Sequence, residues 1–106
     1  MNKELTIVFS SYASDKLLEK ILKRFDKEFK TIIIENSLNK KIKLYLERKF
    51  KNVTVIIPKQ NLGLAKSYNL GIKKTKTKYI FLNNPDIEIR NESIKKLLFY
   101  AKKIKN

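Results

Sequence analysis

The sequence predicts an α/β fold in three layers, with helices on both sides of a four-stranded, mainly parallel sheet. Three observations predict it. Across the 106 residues, four short runs rich in Ile, Val, Phe and Tyr alternate with four stretches of helical periodicity. The runs are apolar nearly throughout, as strands covered on both faces are. The strict order of strand then helix implies parallel pairing through right-handed crossovers.

Each element has its own signal. Residues 5–10 (L-T-I-V-F-S) form the first β-type run. Ser14 and Asp15 suit a helix start, because a Ser cap and an early acid complement the positive helix end. Leu17, Leu18, Ile21, Leu22 and Phe25 then share one helical face. Residues 31–34 are a second buried strand, ending in Glu35, Asn36 and Ser37. A second amphipathic helix is expected over about 38–50, with Ile42, Tyr45 and Leu46 inward. Residues 53–57 make a third strand, stopped by Pro58, which cannot donate to a ladder. A third helix opens at Gly63 and runs to about Lys74; Gly63 and Gly71 have the spacing of close helix–sheet packing. Residues 79–82 are the fourth strand. Asn91 can cap a last helix with Ile94, Leu97, Leu98, Ala101 and Ile104 on one stripe. The pattern is that of a Rossmann-like α/β/α domain.

Composition narrows the chemistry. There is no cysteine and no histidine, so acid–base or metal chemistry falls to Asp and Glu. The longest apolar runs are far short of the roughly 20 residues of a membrane span, and the N-terminal run is too short for a signal-peptide core. A cytoplasmic protein is expected, and a place on the inner membrane face would suit its charge. Net charge is +15, which points to an anionic partner such as a phosphorylated ligand, nucleic acid or acidic lipid. Lys, Ile and Asn number 22, 14 and 10, so compositional bias accounts for part of it. Only three of the 25 basic residues are Arg, which argues against a dedicated nucleic-acid reader. No G-x-G-x-x-G follows the first strand and no G-x-x-x-x-G-K-[ST] occurs, against an NAD site or a P-loop.

Parallel strands bring their C-terminal ends to one edge, where open α/β sheets bind ligands. That edge gathers Ser11, Tyr12, Glu35, Asn36, residues 58–61 and residues 83–86. Asp86 closes a strand in a polar loop, the position at which such folds place ligand chemistry. Simpler roles stand beside these. Asn-Pro-Asp is good turn chemistry, Tyr12 could cap the core, and Asn36 could cap the second helix. Glu88, two residues beyond Asp86, reads as a surface residue.

The stretch N-L-G-L-A-K-S-Y-N-L-G-I, followed by F-L-N-N-P-D-I-E-I, resembles family 2 glycosyltransferases of GT-A fold. The S-S-Y after the first strand is similar to that family's (T/S)-Y, and I-I-I-E-N-S to its V-D-N-S. The resemblance covers residues 5–89 and only the nucleotide-binding half of such an enzyme. It implies that residues 1–106 are a single nucleotide-sugar-binding domain, truncated relative to a full glycosyltransferase. It implies transfer of a sugar from a UDP- or dTDP-linked donor to an acceptor hydroxyl, with inversion and metal assistance. Ser11 and Tyr12 would line the base and ribose, Glu35 and Asn36 would hold their polar atoms, and Asn61 and Gly63 would shape the loop beside the nucleoside. Asn84 and Asp86 would form the diphosphate corner, with Asp86 the ligand of Mg²⁺ or Mn²⁺. The acceptor would be a glycan or lipid-linked hydroxyl, as in cell-envelope polysaccharide synthesis. Glu35 stands for the usual Asp, Asn84 for the first Asp of D-x-D, and Ala13 where Asn is frequent. No residue replaces the carboxylate that deprotonates the acceptor, so these residues would be a truncated product, an excised fragment, or a split subunit with a partner chain supplying the acceptor half. The alternative is a non-catalytic basic α/β module that binds RNA or acidic membrane lipid.

Overall fold

A computed structural model of the chain describes residues 2–25, 27–87 and 89–104. Strands and helices alternate without exception: β1 (Asn2–Ser11), α1 (Asp15–Arg24), β2 (Phe29–Glu35), α2 (Lys40–Lys49), β3 (Val53–Ile56), α3 (Gly63–Lys74), β4 (Tyr79–Asn83) and α4 (Asn91–Lys103). The strands form one parallel sheet in the order β3-β2-β1-β4. The two apolar central strands, β1 and β2, therefore lie inside, and the short β3 and β4 lie at the edges. Ser11 stands opposite Glu35, so β1 and β2 end level, while Asn83 stands opposite Phe9 and β4 ends two residues lower on the same edge.

Two apolar layers flank the sheet. On one face Ile7, Phe9, Phe29 and Ile33 meet Leu18, Ile21 and Leu22 of α1, Ile42 and Leu46 of α2, and Ile94 of α4. Phe9 stacks on Phe25 with ring centroids 6.0 Å apart. Each such side chain contributes about 1.5–3 kcal/mol by leaving water. On the other face Val8, Ile32 and Ile34 meet α3 alone, through Tyr68 and Leu70. That second contact is close. A Cβ at Gly71 would lie 2.3 Å from Val8 Cγ1, so only glycine lets α3 approach the sheet there.

Some expectations fail in detail. Tyr45 is 47% exposed and Leu17 45%, so periodicity put them on the right stripe but too near its margin. Tyr45 instead donates its hydroxyl to Glu19 Oε1 at 2.8 Å, bracing α2 against α1. Of the α4 stripe only Ile94 is buried; Leu97 and Ile104 face outward. Ser14 makes no side-chain cap, and its hydroxyl donates weakly to Tyr12 O. Asn91 does not cap α4; its Nδ2 donates to Arg24 O at the end of α1, tying the two helices together. The one side-chain cap of these helices is Asn39, whose Oδ1 accepts from Lys41 N. A Cβ at Gly63 would meet nothing within 4 Å; its φ of +74°, not close contact, calls for glycine.

Candidate functional site

The C-terminal ends of β1, β2 and β4 and the start of α3 enclose a cleft of about 340 Å³, at the small end of ligand sites. Ser11, Tyr12, Asn36, Asn61, Gly63, Asn84 and Asp86 all line it. Seven of the eight residues singled out from the sequence thus converge, though they span positions 11 to 86. Ser10, Ser14, Leu64 and Pro85 complete the lining.

Glu35, the eighth, lies beneath the cleft and is fully buried. Its two oxygens take four protein donors. Ser11 Oγ donates to Oε1 at 2.8 Å. The N–H of Ala13 (2.9 Å), the N–H of Ser37 (3.1 Å) and Ser37 Oγ (2.5 Å) donate to Oε2. Its side-chain oxygens are thus satisfied by hydrogen bonds, as buried polar atoms must be. It closes the loop after β1 onto the loop after β2. Both loops carry left-handed backbone at non-glycine residues, Ala13 (φ 51°) and Leu38 (φ 64°). Glu35 holds them: Ala13 N–H reaches its carboxylate and Leu38 N–H its carbonyl.

Asn36 has a similar place one step nearer the opening. Its Nδ2 donates to Ser67 Oγ at 2.8 Å and its Oδ1 accepts from Leu62 N at 2.9 Å. It thereby clamps the start of α3 to the end of β1. Ser67 passes the tie on, donating to Gly63 O at 2.5 Å. Sequence reasoning missed Ser67 and Ser37. The signal for Ser67 was present: Ser67 and Gly71 are small residues at i and i+4, the face of α3 turned to the sheet. Nothing local distinguishes Ser37.

Tyr12, 65% exposed, and Asp86 lie open to solvent, as do Asn61, Gly63 and Leu64 on the side of α3. Asn84 Oδ1 accepts from Asp86 N at 3.0 Å and Asn84 O from Ile87 N at 2.9 Å, a side-chain-closed turn around buried Pro85. The turn leaves the Asp86 carboxylate without a hydrogen bond or ion pair among the described residues. Asn61 Oδ1 accepts from Gly63 N at 2.9 Å and shapes the opposite wall. Among the described residues no three acidic side chains come together as a metal cage, and Glu88 lies outside them. Asn83 Nδ2 is buried at the end of β4 without a hydrogen-bond partner among the described residues. Among the described residues no helix is long and apolar enough to cross a membrane.

A polar cleft at the carboxyl edge of an open parallel sheet is where α/β domains of the doubly wound kind bind ligands. The family model for glycosyl transferase family 2 matches residues 11–106, and the chain belongs to that family. A search of curated protein sequences finds no significant match. Seven chains of solved structures match in fold. One is a crystal structure of S. aureus TarS 1–349, with TM-score 0.75 and 19% identity. The match covers 93% of this chain and 32% of that one, so this chain spans about a third of the neighbour's length. At that identity the likeness shows the fold, which is the GT-A α/β arrangement expected from the sequence. The family membership does not favour the alternative of an RNA- or lipid-binding module.

Proposed function

We propose that the cleft binds the nucleotide diphosphate of a sugar donor, and that this chain is the donor-binding half of an inverting glycosyltransferase. The observation that carries the reading is the pairing of an exposed aromatic face, Tyr12, with a carboxylate, Asp86, that has no partner among the described residues, across one polar cleft. A base can stack on Tyr12 while the diphosphate lies toward Asp86. Uridine and thymidine donors are the candidates.

The donor set suits a divalent cation shared with phosphate. Mg²⁺ and Mn²⁺ accept one or two carboxylates and take their other oxygens from water and the diphosphate. Asp86 would hold the ion, and Asn84 would hold the turn that presents Asp86. The ion would supply neutralisation of the charge that grows on a departing diphosphate. Lysines of the +15 chain would add long-range attraction for the donor. A glycan or lipid-linked hydroxyl would accept the sugar, with its base supplied by polypeptide outside these 106 residues. Binding without efficient transfer is therefore expected of this chain alone, and a membrane-bound acceptor would bring it to an anionic lipid surface.

Calorimetry with UDP- and dTDP-sugars in the presence of Mn²⁺ tests the reading. Binding that weakens about tenfold or more in Asp86→Ala, or on chelation, is expected for a charge-assisted ligand of a metal-bridged diphosphate. No heat from any donor, or equal binding by Asp86→Ala, overturns it.

A further inference from the structure

The register of β3 fixes which of its backbone groups face away from the sheet. Thr31 N–H donates to Asn52 O, and Thr31 stands opposite Val53. In an evenly spaced parallel ladder, β2 then bonds to the backbone of residues 52, 54 and 56. The N–H and C=O groups of Val53 and Val55 point outward. Such a row, left bare, is a template for a further strand.

The chain fills this row itself. Val53 N–H donates to Phe50 O at 3.2 Å, in the turn that leads into the strand. Lys43 Nζ donates to Val55 O at 2.5 Å, and Val55 N–H donates to Glu47 Oε2 at 2.8 Å. Lys43 and Glu47 are one turn apart on α2 and also pair with each other at 2.8 Å. Together they offer one donor and one acceptor to a single residue. The opposing residue of an antiparallel strand would offer the same two. Burial works against the Glu47 charge, but bonds from Lys43 and Val55 N–H, with the Lys43 and Lys30 charges, hold its carboxyl below the usual range. These bonds lie within residues 43–55 and do not depend on what precedes or follows the chain.

The strand thus shielded is V-T-V-I, a strong β-former. Two copies of it, bare, could pair antiparallel about a twofold axis and join two four-stranded sheets into one. The +15 charge opposes such an approach only over distances that salt screens. At contact, backbone bonding has to be blocked directly. We propose that the Lys43–Glu47 pair is a built-in stand-in for a neighbouring strand, and that it keeps β3 from pairing with β3 of a second copy. The pair lies outside the cleft, so the proposal stands whether or not the donor reading does.

The double variant Lys43→Ala/Glu47→Ala tests it, because it loses one charge of each sign and keeps the net charge of the parent. Sedimentation at high salt compares it with the parent 106-residue chain. The variant should self-associate with a dissociation constant of about 1 mM or tighter, within the reach of a small contact, and the parent should stay monomeric. Amide hydrogen exchange locates the contact. At low concentration the Val55 amide of the variant should exchange about tenfold faster than in the parent, and it should slow again as concentration rises. Lys43→Gln/Glu47→Gln keeps a donor and an acceptor without the charges, and should remain monomeric with Val55 protected. A double alanine variant that stays monomeric would overturn the proposal. So would association that leaves Val55 exchange unchanged, which would place the contact elsewhere. Equal association by the glutamine pair would reduce the device to charge and overturn it. Loss of the native circular dichroism in the alanine variant would make the pair a brace of the fold and overturn it as well.

Discussion

Glu35 offers the sharpest test of how this site is built. The sequence places it at the rim as a candidate ligand; the structure turns both its oxygens inward onto four donors. Glu35→Ala strands the N–H groups of Ala13 and Ser37, at about 1–3 kcal/mol each where water cannot reach them. The two serine hydroxyls can turn to other acceptors, so the loss is about 3–4 kcal/mol. For a domain whose whole stability is about 5–15 kcal/mol, that is a large fraction. Glu35→Gln should behave differently. Its amide oxygen can take the Oε2 position, where three donors converge, and its amide nitrogen then faces only Ser11 Oγ, which can reverse and accept. The remaining loss is charge assistance, about 1–1.5 kcal/mol. With a urea slope of about 1.5 kcal/mol/M, the midpoints should fall by about 2 M for Ala and by under 1 M for Gln. Equal midpoints for the two variants, or an Ala variant as stable as the parent, would refute the reasoning. A Gln variant with an unchanged midpoint but lost donor binding would return Glu35 to the role of direct ligand.

Two further outcomes follow from the same geometry. Ala13 occupies left-handed backbone with φ 51°; Ala13→Gly removes a strain of about 1 kcal/mol and should raise the urea midpoint. Hydrogen bonds from Lys49 and Tyr45, with the nearby lysine charges, hold the Glu19 carboxyl at about 2 against a small opposing effect of burial. Its folded pKa lies below the unfolded 4.5, so its contribution is present above that pH and is lost as pH falls toward 2. Acid titration followed by circular dichroism should show that loss, flattened in Glu19→Gln and by high salt, because the group is exposed and screened.

The rim itself was legible because topology delivers it. Once the strands are parallel, Tyr12, Asn36, Asn61 and Asp86 must approach one another, whatever their distance along the chain. What each does there was not legible. Glu35 and Asn36 have the residue types of ligands, yet partners far away in sequence occupy their polar atoms: Ala13 N at 22 residues, Leu62 N at 26 and Ser67 at 31.

By itself the sequence determined the element order, the parallel sheet and the face on which each helix carries its apolar side chains. These depend on local periodicity, and on glycine and proline whose effects act within a few residues. Only the tertiary structure decided how wide each face is once it meets a neighbouring layer. Tyr45, Leu97 and Ile104 lie on the predicted stripes but beyond the reach of the sheet. It also decided that α2 seals the β3 edge with Lys43 and Glu47. Periodicity states which side chains share a direction; burial and pairing depend on what the rest of the chain brings there.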